Sequence, residues 1–134
     1  MQYWLVKSEP VKYSWSRFVE DGKAVWDGVR NYQARNNLRE MKLNDKVLFY
    51  HSNEGMSVVG VAEVIKEHYQ DPTTEDVRWL VVELKPLHAI NDVSLETIKK
   101  DDLLQNIGLI KQSRLSVMPL KVEEFDRILA LGSK

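Results

Sequence analysis

The sequence predicts an α+β domain built on a small, mostly antiparallel, barrel-like sheet with flanking helices. Short apolar or β-branched runs outnumber stretches of helical period, and several follow one another through tight turn signals. The long strand–helix alternation of a doubly wound fold is missing. The 134 residues suffice for one domain, and no repeat, low-complexity tract or linker divides them.

Each element follows from its residues. Tyr3 to Val6 is an apolar run stopped by Pro10 and reads as a strand. Ser14 caps one or two helical turns that reach Val19, with Gly22 just past the end. Asn31 to Met41 reads as a helix: Ala34, Leu38 and Met41 recur at i, i+4 and i+7, and Asn31, Arg35 and Arg39 run beside them. Asn44-Asp45 turns the chain into a strand from Lys46 to Ser52. Past the turn Asn53-Glu54-Gly55, Ser57 to Ile65 reads as a central strand bent at Gly60.

The polar stretch Glu67 to Asp76 reads as a loop, and Val77 to Lys85 as a strand ended by Pro86. Ser94 to Lys100 is a short helix with Glu96 in its first turn and Lys99-Lys100 in its last, the sense its dipole favours. Leu115 to Leu120 is a final strand. Lys121 to Leu131 closes as a helix burying Phe125, Ile128 and Leu129, with Gly132 as its cap.

Composition narrows the chemistry. Lys and Arg number 19 against 20 Asp and Glu, a net charge of −1, so any anion-binding surface must be made by segregating charge locally. Cysteine is absent, which removes disulfides, thiolate metal sites and thiol nucleophiles. The N-terminal apolar run is too short for a signal peptide or a membrane span, so a soluble, cytoplasmic protein with no membrane partner is expected.

His51, His68 and His88 lack partners at metal-ligand spacing, and no metal or cofactor is expected. Ser52 follows His51 directly, but strand neighbours point to opposite faces and form no dyad. Nucleophile elbows, Walker loops and dinucleotide fingerprints are absent, and Glu9 and Glu63 stand alone, so an enzyme is not expected.

One block differs from plain core sequence. Trp26-Asp27-Gly28-Val29-Arg30-Asn31-Tyr32-Gln33-Ala34-Arg35-Asn36-Asn37-Leu38-Arg39 feeds a tryptophan and an Asp-Gly turn into a helix striped with Arg and Asn. Its free backbone N–H groups and guanidinium forks suit an anion. The competing reading packs Trp26 in the core and leaves the arginines solvated. Aromatic residues also meet polar ones at Trp4 with Lys7-Ser8-Glu9 and at Phe49-Tyr50-His51-Ser52-Asn53. Aromatic faces with a few fixed donors and acceptors suit a planar base. Lys111-Gln112-Ser113-Arg114-Leu115-Ser116 adds two cations and short polar side chains before a strand.

Tyr-Trp-Leu-Val-Lys-Ser-Glu-Pro at 3–10, the block at 26–39, Phe-Tyr-His-Ser-Asn at 49–53 and Gln-Ser-Arg-Leu-Ser-Val at 112–117 together resemble the EVE domain family, in order and from end to end. The resemblance implies a PUA-like fold and kinship with the YTH readers of N6-methyladenosine in RNA. It implies a reader of modified bases, with modified cytosine in DNA the usual proposal. Carried over by residue, the pocket is walled by Trp26 and Tyr50 and lined by Ser8, Glu9, Asn31, His51, Ser52, Asn53 and Ser113. Arg30, Arg35 and Arg114 then meet phosphate or the ligand's polar edge.

Asp76-Val77-Arg78-Trp79 looks like a YTH strand in which Trp79 is structural, and the stretch from Tyr69 to Arg78 is short against many bacterial members. The expected protein is a monomer that binds nucleic acid carrying a modified base. Removing Trp26, as a partly buried pocket wall, is expected to cost binding and little stability. An RNA-binding domain acting on tRNA or rRNA, a sensor of a free nucleoside and an enzyme using Glu9 on a modified base remain open alternatives.

Overall fold

A computed structural model describes residues 1–133. Its first strand, β1 (Tyr3–Ser8), is followed by α1 (Trp15–Asp21), the short β2 (Ala24–Val25), α2 (Tyr32–Glu40), β3 (Lys46–His51) and the long strands β4 (Ser57–Gln70) and β5 (Leu80–Ser94). Three short helical segments come next: α3 (Leu95–Lys100), a 3-10 turn at Asp102–Leu104 and α4 (Gly108–Lys111). β6 (Val117–Leu120) and α5 (Val122–Leu131) complete the fold.

The strands make one six-stranded sheet in the order β2-β5-β4-β3-β1-β6. Only the β1–β3 pair is parallel; every other pair is antiparallel. The sheet remains open, with β2 and β6 as its edges, so the barrel is approximate.

The caps explain why the helices begin and end where the sequence predicts. Ser14 accepts from the Arg17 N–H and Asn31 from the Ala34 N–H, each satisfying one orphan donor of a first turn. Ala34, Leu38 and Met41 are fully buried, so the predicted stripe of α2 is its packing face. Gly60 is small for a steric reason: a Cβ there would lie 2.5 Å from the Trp15 ring, which occupies that space.

The β4–β5 hairpin departs from expectation. β4 does not stop at Ile65 but runs to Gln70, so the polar stretch from Glu67 begins as strand, not loop. Its burial alternates there because this arm is solvated on one face, with the Tyr69 hydroxyl donating to Glu83 across the pair at 2.6 Å. Val77, Arg78 and Trp79 belong to the connecting turn, and β5 begins only at Leu80. Pro86 does not end β5. It faces Ala62 at a register shift, and β2 pairs only with Glu83 and Leu84, so the missing N–H is tolerated on an open flank.

Trp4, read as one of the aromatic–polar patches, is a core residue. Its indole N–H donates to the buried Asp45 carboxylate at 3.0 Å. Burial alone would raise the pKa of Asp45, but hydrogen bonds from Gln2, Trp4 and Lys42 bring it below the usual carboxylate value. Among the described residues no helix is long and apolar enough to cross a membrane.

Candidate functional site

A cavity of about 690 Å³ opens at the C-terminal end of β1. Lys7, Ser8, Glu9, Lys12 and Tyr13 supply one wall, Asp21 to Arg30 supply much of the other, and Ser116 completes it. The first wall folds back on itself because the Glu9 carbonyl accepts from the N–H groups of Lys12 and Tyr13 at 2.9 and 2.8 Å. The Ser8 hydroxyl donates to the Tyr13 carbonyl at 2.5 Å. The second wall is carried by β2, whose pairing with β5 continues as a Trp26 N–H bond to the Val82 carbonyl at 2.8 Å.

Trp26 joins the cavity to the core. Its ring meets Phe49, Tyr13 and Phe18 edge-on, at centroid distances of 5.7, 6.3 and 6.4 Å. Only 8% of the residue is exposed. The expectation of a partly buried wall is therefore corrected: Trp26 lines the cavity, but most of its surface is core packing.

Asp71, in the β4–β5 turn, holds this wall from behind. Its fully buried carboxylate accepts from the Gly28 N–H at 3.0 Å, the Arg30 guanidinium at 2.9 Å, and the Thr73 hydroxyl and N–H at 2.6 and 2.8 Å. Burial raises its pKa, yet the bonds from Thr73, Gly28 and Arg30 outweigh that and hold it at about 2. Gly28 sits at φ +76°, a conformation that glycine adopts without strain.

Hydrogen-bonding capacity is unevenly used across the cavity. The Tyr13 hydroxyl is committed to Asp21 at 2.9 Å, and burial followed by that bond pushes its pKa to about 12. Lys7 gives one bond, from Nζ to the Ser113 carbonyl at 2.7 Å, and burial lowers its pKa. Glu9 meets Lys12 at 3.6 Å.

Of the residues expected at a site, Ser8, Glu9, Trp26 and Arg30 line the cavity. His51 and Ser52 lie next to it: His51 pairs with Ser8, and the Ser52 N–H donates to the Ser8 carbonyl at 3.0 Å. His51 is already engaged, its Nε2 accepting from the Trp15 N–H at 3.0 Å, and burial lowers its pKa against the opposing charge of Asp92. Ser113 reaches the site through its carbonyl on Lys7, and Arg114 is an exposed neighbour on the same loop.

Tyr50, expected as the second wall, is not among the lining residues. It is buried, and strand alternation turns it to the sheet face opposite Phe49, against which Trp26 packs. Asn31 and Arg35 are also outside the lining. The Asn31 side chain is spent capping α2, and the Arg35 guanidinium lies on the Tyr32 ring. Asn53 is exposed in the β3–β4 turn, away from the lining set.

The sequence reading missed Lys12, Tyr13, Lys23 and Asp27 as lining and Asp71 as anchor. Asp71 stands 43 residues from Gly28, and no local pattern marks it. Among the described residues no group of His, Asp and Glu could hold a metal ion.

Residues 2–131 match the family model described as the EVE domain. Mouse thymocyte nuclear protein 1 is 38% identical over an alignment of 168 positions, covering 96% of this chain and 73% of that protein. A crystal structure of an Agrobacterium tumefaciens protein has a TM-score of 0.96 at 43% identity, covering 98% of this chain and 93% of that one. The human THYN1 protein, in a crystal structure in complex with 5-methylcytosine-containing DNA, has a TM-score of 0.93 at 32% identity, covering 100% of this chain and 99% of that one.

Proposed function

As the chain belongs to the EVE domain family, we propose that it is a non-enzymatic module that reads a modified cytosine in DNA through the cavity at the end of β1. Its PUA-like fold is the one that membership implies. The observation that carries the reading is Trp26 in that cavity, a rigid aromatic wall beside half-buried polar groups. Its volume falls in the range of small-molecule sites, which commonly span about 300–1,000 Å³. The DNA complex of the similar human protein supports the choice of target.

On this reading the base leaves the stack and enters the cavity, at a cost of a few kcal/mol from duplex DNA. An edge of the Trp26 indole packs against it. One methyl group moved out of water contributes about 0.8 kcal/mol, under tenfold, so sharper selectivity comes from how completely the cavity fills. With a net charge of −1, attraction to phosphate rests on local cations such as Lys23 and Arg114, and affinity falls with salt.

The test is a titration of fluorescent DNA and RNA oligonucleotides with and without 5-methylcytosine, and of the free nucleosides, at several salt concentrations. DNA carrying 5-methylcytosine is expected to bind most tightly. Equal binding of free nucleosides would establish the sensor reading instead, and RNA binding indifferent to modification the RNA-domain reading. Trp26→Phe, which keeps a ring in the core, is expected to narrow the preference for the methylated strand.

A further inference from the structure

We propose that Lys7 and Glu9 identify the base as cytosine: the Glu9 carboxylate accepts from its N4 amino group, and the Lys7 ammonium donates to its O2 or N3. The inference rests on the reading that the cavity holds a base.

Three observations carry it. Lys7 lies in β1 and Glu9 directly follows that strand's last residue, Ser8, and both line the cavity. Both have capacity to spare. An ammonium has three donors, and Lys7 uses one, on the Ser113 carbonyl at 2.7 Å. Among the described residues Glu9 has an ion pair with Lys12 at 3.6 Å and accepts no side-chain hydrogen bond. Both are also partly shielded, whereas the ions Lys12, Asp21, Lys23 and Asp27 around the same cavity are exposed. A partly dehydrated donor beside a partly dehydrated acceptor favours a ligand edge presenting the opposite pair.

Cytosine presents that edge, with an N4–H₂ donor beside the N3 and O2 acceptors. Thymine carries the same C5 methyl as 5-methylcytosine but sets O4 against the Glu9 carboxylate and N3–H against Lys7. Comparing 5-methylcytosine with thymine therefore holds the methyl constant and isolates the hydrogen-bonding edge.

The experiment measures dissociation constants for single-stranded DNAs that differ at one position, bearing 5-methylcytosine, cytosine, thymine or uracil. The wild-type protein is expected to prefer 5-methylcytosine over thymine, and cytosine over uracil, by about tenfold or more. In Glu9→Gln the amide can turn either its oxygen or its N–H to the base. Both ratios should then fall toward one while the ratio of 5-methylcytosine to cytosine stays unchanged. Lys7→Gln should weaken 5-methylcytosine and cytosine strands equally. Circular dichroism verifies that each variant folds. Wild-type ratios retained in Glu9→Gln, or no wild-type preference at the 4-position, would overturn the assignment. Equal wild-type binding of 5-methylcytosine and cytosine would instead overturn the modified-base reading and leave the cytosine edge standing.

Discussion

Two aromatic clusters flank the block from Trp26 to Arg35, and they differ in how much of their hydrogen-bonding capacity the fold already uses. At the cavity, Lys7 and Glu9 keep donors and acceptors in reserve beside Trp26. Behind it, Tyr32 and Trp79 face each other at 5.2 Å under three arginines, with Arg35 5.1 Å from the Tyr32 ring and Arg30 and Arg78 at 5.6 and 5.8 Å from Trp79. There every guanidinium is engaged. Arg30 is held by Asp71, Arg78 by Asp76 and the Tyr32 hydroxyl, and Arg35 by Asn36 and the Arg78 carbonyl. Residue types alone would nominate the second cluster as the binding surface. Its engaged donors make it a brace, and the reserve at the cavity is what supports the proposed site there.

The largest test of this contrast is Trp26→Ala. Because its ring packs on Tyr13, Phe18 and Phe49, truncation should cost about 3–5 kcal/mol of stability and lower the melting temperature by on the order of 10 °C or more. Calorimetry checks this. A melting temperature nearly unchanged would return Trp26 to the role of a thin, loosely packed wall.

Asp71→Asn removes the charge that braces the cavity from behind. The expected loss at neutral pH is about 1.5–3 kcal/mol, toward the lower end because the partly exposed Arg30 can rehydrate. The folded-state pKa of Asp71, about 2, lies below its ordinary value of 3.8, so its contribution is present above about pH 4 and fades as pH falls toward 2. Urea midpoints at pH 6 and pH 2.5 should therefore show the gap between wild type and variant closing in acid. A gap independent of pH would mean that packing, not charge, is what Asp71 supplies.

The smallest effects separate two arginines of the brace. Arg78 is neutralised by Asp76 at 2.6 Å, whereas Arg35 has no carboxylate partner among the described residues. Arg35→Ala should weaken methylated and unmethylated strands equally and reduce the slope of log affinity against log salt by up to about 0.9. Arg78→Ala should leave affinity and slope unchanged. A slope that falls with Arg78 as it does with Arg35 would mean that the Asp76 ion pair does not decide which of the two arginines meets phosphate.

Much of the fold was legible because its signals are local. The cap at Ser14, the helix starts at Asn31 and Ser94, the stripe at Ala34, Leu38 and Met41 and the turns at Asn44 and Asn53 each act within a few residues. Trp26, Ser8, Glu9 and Arg30 were legible as cavity residues through the family resemblance. The second half of β4 was not, because its polar alternation looks like a loop until β5 pairs with it. Tyr50 falls outside the cavity lining because its place depends on which sheet face the Trp26 segment covers.

By itself, then, the sequence determined the order and type of most elements, the family and the block that carries Trp26. The tertiary structure alone decided which groups the fold had already spent. His51 is consumed by the Trp15 N–H and Arg30 by Asp71, while Lys7 and Glu9 remain with capacity for a ligand. The reason is physical. A helix cap is satisfied within one turn, but the balance of a half-buried donor or acceptor depends on partners tens of residues away, and only the folded chain brings them within bonding distance.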